Sequence, residues 1–598
     1  MKKKKKKSIG IFFAFIIIAA AIGGSNLYNL YYGKNSQSET ETNTMLQVID
    51  NKQENDPEDS IHIRDVDSLY EDDGMDVVTM YLTVRTGNAT EGTNHTWDEI
   101  NSHSAYYYDE LGIDRYKVEA LLQVGNEEGI PAGSLGFGKT APNATVQIRG
   151  QTSSRSQQKN YKIELKENQG NWNGQTTINL NKHQTDGLRF RNKLGFDLLK
   201  NIDQLPSLRT QFVHLYVNDL TDGYDDGFED YGLYTQVEQL NKTALRAHGL
   251  DRYGQLYKVN FFEFYRYEDA IKLSTDAGYN VSKFEEYLEI KGDDDHTKLI
   301  DMLDDLNNYS LSIDDVLDEH FDRENLAYWL AFNILTGNAD TQSRNCYLYS
   351  PKNEKVWYFI SWDLDGLFRT DENEVLGRTD YGSWETGVSN YWGNVLFNRC
   401  LKSESFRDEL DAAIEDLKAN VITGSRIAEM VNEYTAVADN YIWQQPDVTY
   451  ESLTPDEYKE IADKLPNLVD ANYENYKKSL EKPLPFYTGT PVIEDGKLTV
   501  NWDASYDFQQ DDLSYKAYIS RNLDGSDIVA SYEGIWTEFS CDAPEPGEYF
   551  LKVKAYDENG NYQDCFDYYT SEDIGKVYGT LCFYVNADGT IDRYTVEE

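Results

Sequence analysis

Apolar and polar positions change period several times along this chain, and each change predicts an element. Lys2 to Lys7 precede Ser8 to Gly24, a run without charge and rich in Ile, Phe and Ala, which predicts a signal peptide or transmembrane anchor within residues 1–30. Residues 31–60 are polar and acidic (SQSETETN, NKQENDPEDS), too poor in apolar side chains to bury a core, and predict a disordered linker. Period-two alternation then predicts strands at Val77–Arg85, Ala144–Arg149, Lys159–Leu165, Phe212–Asn218, Tyr231–Glu238 and Leu256–Lys258. Helical spacing predicts helices at Leu188–Lys200, with Leu194, Leu198 and Leu199 on one face, and at Arg323–Leu335, capped by Asp322. Residues 262–320 read as acidic and largely helical, and Ser403–Ala419 and Gly424–Tyr441 as amphipathic helices. Two aromatic-rich strands, Asn345–Ser350 and Lys355–Ser361, flank a Pro-Lys-Asn-Glu turn.

After Lys482-Pro483-Leu484-Pro485 the pattern becomes short alternating strands (KLTVNWDAS, LSYKAYISR, GEYFLKVKAYD, TLCFYVNADG), with Trp502 as a core residue. The expected fold class is therefore α+β. Mixed sheets with a helical cap fill residues 61–484, and an all-β sandwich of fibronectin type III or immunoglobulin-like kind fills 485–598.

Composition narrows the function. The 598 residues exceed one ordinary core, so two or three domains are expected. With 56 Lys+Arg against 104 Asp+Glu the formal charge is -48, which argues against nucleic acid as a partner. Such a surface favours solubility, or a protein substrate rich in Lys/Arg and Ser. The leader predicts export, with the chain either anchored in the membrane facing outside or secreted and associated with the cell wall. Five cysteines at Cys346, Cys400, Cys541, Cys565 and Cys582 fit neither a metal site nor a disulfide scaffold; the last three could supply at most one bridge. Gly133 to Thr140 (GSLGFGKT) matches the spelling of a phosphate-binding loop, but Ala141-Pro142-Asn143 and a strand follow it where that motif requires a helix.

The chemistry gathers around the hairpin. If residues 350 and 355 pair, rung indices sum to about 705 and Asp363 falls opposite Gln342, between Asp340 and Asn345. Asp340, Asn345, Asp363 and Asp365 then meet at its open end. Carboxylates and an amide oxygen so close repel one another unless a hard cation lies between them, and oxygen ligands without His or Cys suit Mg2+ or Mn2+. Solvated turn acids are the plain alternative. Upstream, RGQTSSR followed by KNYKIEL places hydroxyls, Arg149, Lys159 and Lys162 around one turn, a basic cluster suited to phosphate oxygens. Glu238, ending its strand, is a candidate partner for a lysine of that hairpin, and Lys258 is a further strand-borne lysine.

The blocks RGQTSSRSQQKNYKIEL, LRFRNKLGFDLL, GLYTQVEQLNK, GQLYK, GNADTQSRNCYLY and WYFISWDLDG, in this order, resemble the CotH kinase family of spore-coat proteins over roughly residues 75–480. The resemblance implies an atypical kinase-like domain that transfers phosphate from ATP to protein Ser or Thr with Mg2+ or Mn2+. Four residues separate Asp340 from Asn345, as in the catalytic loop of ordinary kinases, and a hairpin leads on to Asp363. Carried over by position, Asp340 looks like the catalytic carboxylate, Asn345 and Asp363 look like metal ligands, and Asp365 is a weaker candidate for the second ion. Lys159 looks like the phosphate-pairing lysine, with Lys162 as the alternative; Glu238 is its orienting partner, and Arg149 and Lys258 support. No G-x-G-x-x-G precedes the lysine, a departure from ordinary kinases. Gly382–Leu401 would cover the site with aromatics. A non-catalytic wall or matrix protein and a carboxylate-pair glycoside hydrolase are the alternatives, and the second has no need of the basic cluster.

Overall fold

In the computed structural model, residues 63–71, 74–369, 384–571 and 575–595 are described. The predicted leader and linker lie outside them, as does the start of the expected aromatic cover, Gly382 and Ser383. Among the described residues no helix is long and apolar enough to cross a membrane.

Seven strands close into a barrel. They are β1 (Val78–Arg85), β2 (Val118–Gly125), β3 (Ala144–Arg149), β4 (Asn160–Leu165), β5 (Thr177–Asn181), β6 (Thr210–Asp219) and β7 (Glu229–Glu238), in the order β1-β2-β3-β4-β5-β7-β6. Parallel pairing of β1 with β6 closes the ring, Val78 opposite Val213. Alternation decides which residues fill it: Ala144, Val146 and Ile148 of β3 are buried while Thr145, Gln147 and Arg149 face outward. Met80, Leu82, Val84, Tyr161 and Ile163 complete a side-chain core, so the interior is packed. The Gly133–Thr140 segment is a run of turns on this barrel, and Lys139 Nζ donates to the Gln169 main-chain oxygen at 3.1 Å. No helix opens there, as the proline had indicated.

A second sheet follows, ordered β11-β10-β8-β9: β8 (Gln255–Val259), β9 (Leu288–Ile290), β10 (Cys346–Ser350) and β11 (Tyr358–Ser361). The hairpin register differs from expectation. Cys346 lies opposite Ser361 and Tyr347 opposite Ile360, so the indices sum to 707. A slip of two residues preserves the face of every side chain, where a slip of one would invert it. By index Asp363 therefore keeps its side and falls opposite Arg344 in place of Gln342, nearer to Asn345.

The helix Arg323–Leu335 spans the residues its pattern predicts. Asp322 caps it, accepting from the Asn325 amide at 2.8 Å. Asn325 then clamps β11, accepting from Phe359 N at 2.7 Å and donating to Phe359 O at 3.2 Å. Gly337 ends the helix with φ +62°, close against Asn472, and turns the chain toward Asp340. Helices Glu404–Asn420, Gly424–Ala438 and Pro455–Glu481 form the expected cap. Residues 262–320 are less helical than expected. Helices occupy Val281–Glu285, Thr297–Leu306 and Ile313–His320, and Phe262 and Phe264 bury an irregular stretch before them.

From residue 485 onward the chain is all β. A three-stranded sheet (Val492–Glu494, Lys497–Asn501, Glu538–Asp542) and a larger one built on Ser514–Ser520 and Gly547–Tyr556 share a core of Leu498, Val500, Trp502, Ile519, Leu551 and Phe583. This part packs on the rest through Trp392 against Tyr506, centroids 5.2 Å apart, and through Lys576 to Glu385 at 2.5 Å. All five cysteines are free thiols, so no bridge joins Cys541, Cys565 and Cys582.

Candidate functional site

The chain ends three structural elements at one place. The 323–335 helix delivers Asp340 through its glycine turn, β10 begins just after Asn345, and β11 ends just before Asp363. Asn345 Nδ2 donates to the Asp340 main-chain oxygen at 3.1 Å and to Asp340 Oδ2 at 2.9 Å. An amide whose NH2 is used in this way has only its oxygen left for a ligand. Arg344 holds the other carboxylate oxygen of Asp340, donating through Nε at 2.7 Å and through Nη2. It also stacks on Phe261, 4.8 Å from the ring centroid.

Asp363 is exposed to water. Burial of the surrounding space and the neighbouring Asp365 charge raise its pKa from 3.8 to about 6, against the pull of Arg149, His183 and Lys258. Burial also raises Asp340, with Asp365 adding to the effect and Arg344 opposing it. Burial works against the charge of Asp365 as well, but His183, Arg369 and Arg191 outweigh it and hold that carboxyl below its ordinary value. Asn345 (φ +59°), Asp363 (φ +54°), His183 (φ +50°) and Phe261 (φ +40°) all hold left-handed backbone here, conformations that cost non-glycine residues energy.

The turn after Asp363 is seated on the Arg191–Leu199 helix. Asn192 accepts from Leu364 N at 3.0 Å, and a side chain at Gly195 would meet Leu364 at 2.8 Å. His183 Nδ1 lies 3.8 Å from Asp365, and its other ring nitrogen meets Asn192 at 3.2 Å. His183, Arg191, Asn192 and Arg344 were not singled out in the sequence. The available signal was a buried helix opening with Arg191-Asn192-Lys193, too polar at its start for a stripe that serves packing alone.

Of the expected cations, Arg149 and Lys258 face the acids. Arg149 leaves the outer face of β3, donates to Asn181, and lies 5.7 Å from the Trp362 ring centroid; burial lowers its pKa while Asp363 opposes that. Lys258 is opposite Tyr347 on β8, with Glu289 at 3.8 Å. Arg115, unforeseen, stands in the fields of Glu289 and Arg149. Lys159 sits one residue beyond the rung pairing Arg149 with Asn160. Its Nζ donates to Ser154 O at 2.7 Å, no carboxylate pairs with it among the described residues, and burial lowers its pKa.

Two expectations need correction. Glu238 does not orient Lys159. It binds Arg209 at 2.5 Å and His248 Nε2 at 2.9 Å, while His248 Nδ1 meets Asp65 at 2.6 Å. Glu238 closes β7 at residues brought in from elsewhere in the chain, which strand periodicity cannot reveal. Lys162 lies two positions from Asn160 on the outer barrel face and pairs with Glu164 at 2.9 Å, so its charge is locally matched. The Gly150–Arg155 turn is ordered: Ser153 Oγ accepts from Asn160, Ser154 Oγ donates to Gln151 O, and Arg155 covers Tyr106.

The donor set consists of Asp363, Asp365 and the Asn345 oxygen. It is oxygen-only, the ligand type that a hard divalent cation takes. A cavity of about 540 Å3 lined by Glu127, His214, Tyr216 and Asp230 shares no residue with it.

In chain order the acids stand as a carboxylate–amide pair, a hairpin and two further carboxylates. The chain belongs to the CotH kinase protein family, whose profile matches residues 146–481 and so covers every one of these acids. The inner spore coat protein H of Bacillus subtilis (strain 168) is 24% identical over 255 residues, covering 42% of this chain and 64% of that protein. The match thus spans a little under two thirds of that relative. Among solved structures, the Clostridium perfringens spore cortex lytic enzyme SleM is 18% identical over 18% of this chain and 30% of its own, with a TM-score of 0.12. The twitchin kinase region from C. elegans is 10% identical over 68% of this chain and 71% of its own, with a TM-score of 0.17. Neither likeness carries an argument about the fold.

Proposed function

We propose that this protein is an exported, ATP-dependent kinase of cell-surface or spore-coat-type proteins, transferring the γ-phosphoryl group to Ser or Thr with Mg2+ or Mn2+. The observation that carries the reading is the meeting of Asp340, Asn345, Asp363 and Asp365 opposite Arg149 and Lys258. A divalent cation held by Asp363, Asp365 and the Asn345 oxygen would neutralise phosphate charge and fix its orientation. Arg149, Lys258 and Lys159 supply positive charge for the remaining phosphate oxygens. Asp340 accepts the hydrogen of the acceptor hydroxyl and takes its proton as the oxygen bonds to phosphorus; ADP leaves with the electrons of the broken P–O bond. Arg344 and Asn345 hold Asp340 for that role, Asn345 through the same amide that turns its oxygen outward. The export reading rests on the basic, apolar leader and on the spore-coat relative.

The direct test is labelling of protein acceptors from γ-labelled ATP with Mn2+ or Mg2+, alongside Asp340→Asn and Asp363→Ala. Labelling by the parent protein and loss in both variants is expected. Equal labelling by all three, or by none under varied metals, removes the kinase reading and favours a non-catalytic coat or matrix role.

A further inference from the structure

A second oxygen-rich cluster lies far along the chain from these acids, where the all-β part meets the end of the long helix. Asp507, Asp511 and Asp557 bring carboxylate oxygens within 4.8 Å of one another. Asp507 and Asp557 are 5% and 6% exposed, and Asp511 is half-buried. No lysine or arginine pairs with any of the three among the described residues, so no ion pair offsets the repulsion of three like charges.

The hydrogen bonding shows which oxygens are committed. Asp507 Oδ1 accepts from Gln509 N at 2.8 Å and from Asp511 N at 3.2 Å. Asp511 Oδ2 accepts from Asn559 Nδ2 at 2.9 Å. Asp557 accepts from the main-chain and side-chain nitrogens of Asn561, both at 2.8 Å. Asp507 Oδ2 is different: it is buried and has no hydrogen-bond partner. A buried carboxylate oxygen left unpaired is costly, and a cation is the one ligand that satisfies it while also relieving the repulsion of its two neighbours.

The local sequence suits the larger ion. Asp557-Glu558-Asn559-Gly560-Asn561 presents oxygen-bearing side chains at alternate positions, and Gly560 takes φ +86° to turn the loop. Asn559 and Asn561 spend their NH2 groups on the carboxylates, leaving their amide oxygens as further donors. Many oxygens on two turns suit Ca2+, which takes six to eight ligands in loose geometry, better than octahedral Mg2+.

We propose that Asp507, Asp511 and Asp557 form a structural calcium site that fastens the all-β part to the helical cap. The turns that carry it also reach the helix Pro455–Glu481: Gln509 Nε2 donates to Leu480 O at 3.1 Å and Asn561 Nδ2 to Glu481 O at 3.1 Å. Bound Ca2+ therefore fixes two loops whose amides hold the helix end. This site is independent of the kinase reading.

The experiment is a CaCl2 titration of the chelator-treated full chain by calorimetry and by thermal unfolding, in four forms: parent, Asp363→Ala, Asp507→Asn and Asp511→Asn. Binding is expected with Kd on the order of 10⁻⁴–10⁻³ M, the range of extracellular calcium modules. It should raise the unfolding temperature by several degrees in the parent and in Asp363→Ala, and in Asp363→Ala Mg2+ at the same concentration should not. Both cluster variants should lose the calcium-dependent rise. Asp511 is half-exposed, so Asp511→Asn keeps the test valid if Asp507→Asn fails to fold. An unchanged calcium response in Asp511→Asn, no response in the parent at millimolar CaCl2, or an equal response to Mg2+ in Asp363→Ala would overturn the proposal.

Discussion

Two carboxylate clusters of the molecule obey opposite rules. Around Glu238 every charge is matched. Arg209 and His248 hold Glu238, and Asp65 holds the far side of His248. Burial disfavours these charges, but the partners outweigh it, taking Glu238 down to about 2 and His248 up to about 9. Around Asp363 the balance fails: burial and a second carboxylate raise its pKa to about 6, and left-handed backbone adds strain. A cluster that satisfies itself stabilises the fold. A cluster that does not is held in place by the rest of the fold, and it remains available to a ligand.

That contrast can be broken in graded ways. The largest effect on stability belongs to Glu238→Ala, which takes the carboxylate from the buried Arg209 guanidinium and leaves His248 with Asp65 alone. Urea unfolding should show a loss of about 3–5 kcal/mol, whereas Asp363→Ala should leave stability nearly unchanged or raise it. Next comes the cation facing the acids: Arg149→Ala should lower kcat/KM for ATP by about 10²-fold, while Lys162→Ala leaves the rate and the stability as they are. Third, protons compete with metal at Asp363, so Mn2+ affinity measured by calorimetry should fall about tenfold per pH unit below pH 6.

The smallest effect is a slope. The raised pKa of His248 means its stabilisation is complete below pH 6.5 and lost as pH rises through about 9. Unfolding free energy should decline over that window, and His248→Gln should flatten the decline. Glu238 works at the other end, its contribution present above pH 4.5 and lost as pH falls through about 2.

What the sequence disclosed follows the range of the interactions. The 323–335 helix, its Asp322 cap and the Asp340-to-Asn345 spacing are local, and they are legible from periodicity and capping. The hairpin was legible to within two residues. The turn proved longer than its Pro-Lys-Asn-Glu core, and the even slip left the side-chain faces intact. Glu238 was misplaced because its partners, Asp65, Arg209 and His248, come from separate elements, so no spacing rule connects them. His183 and Arg115 were silent for the same reason. The cations that face the acids, Arg149 and Lys258, stand on β3 and β8, which the sequence had marked as strands.

The central claim is that Asp363 and its neighbours hold a divalent cation against bound ATP. Electron paramagnetic resonance of Mn2+ bound with ATP tests it most directly, comparing the parent protein with Asp363→Ala. The account predicts one or two protein-bound ions in the parent that depend on ATP and vanish in the variant. Identical spectra and stoichiometry in both would contradict it.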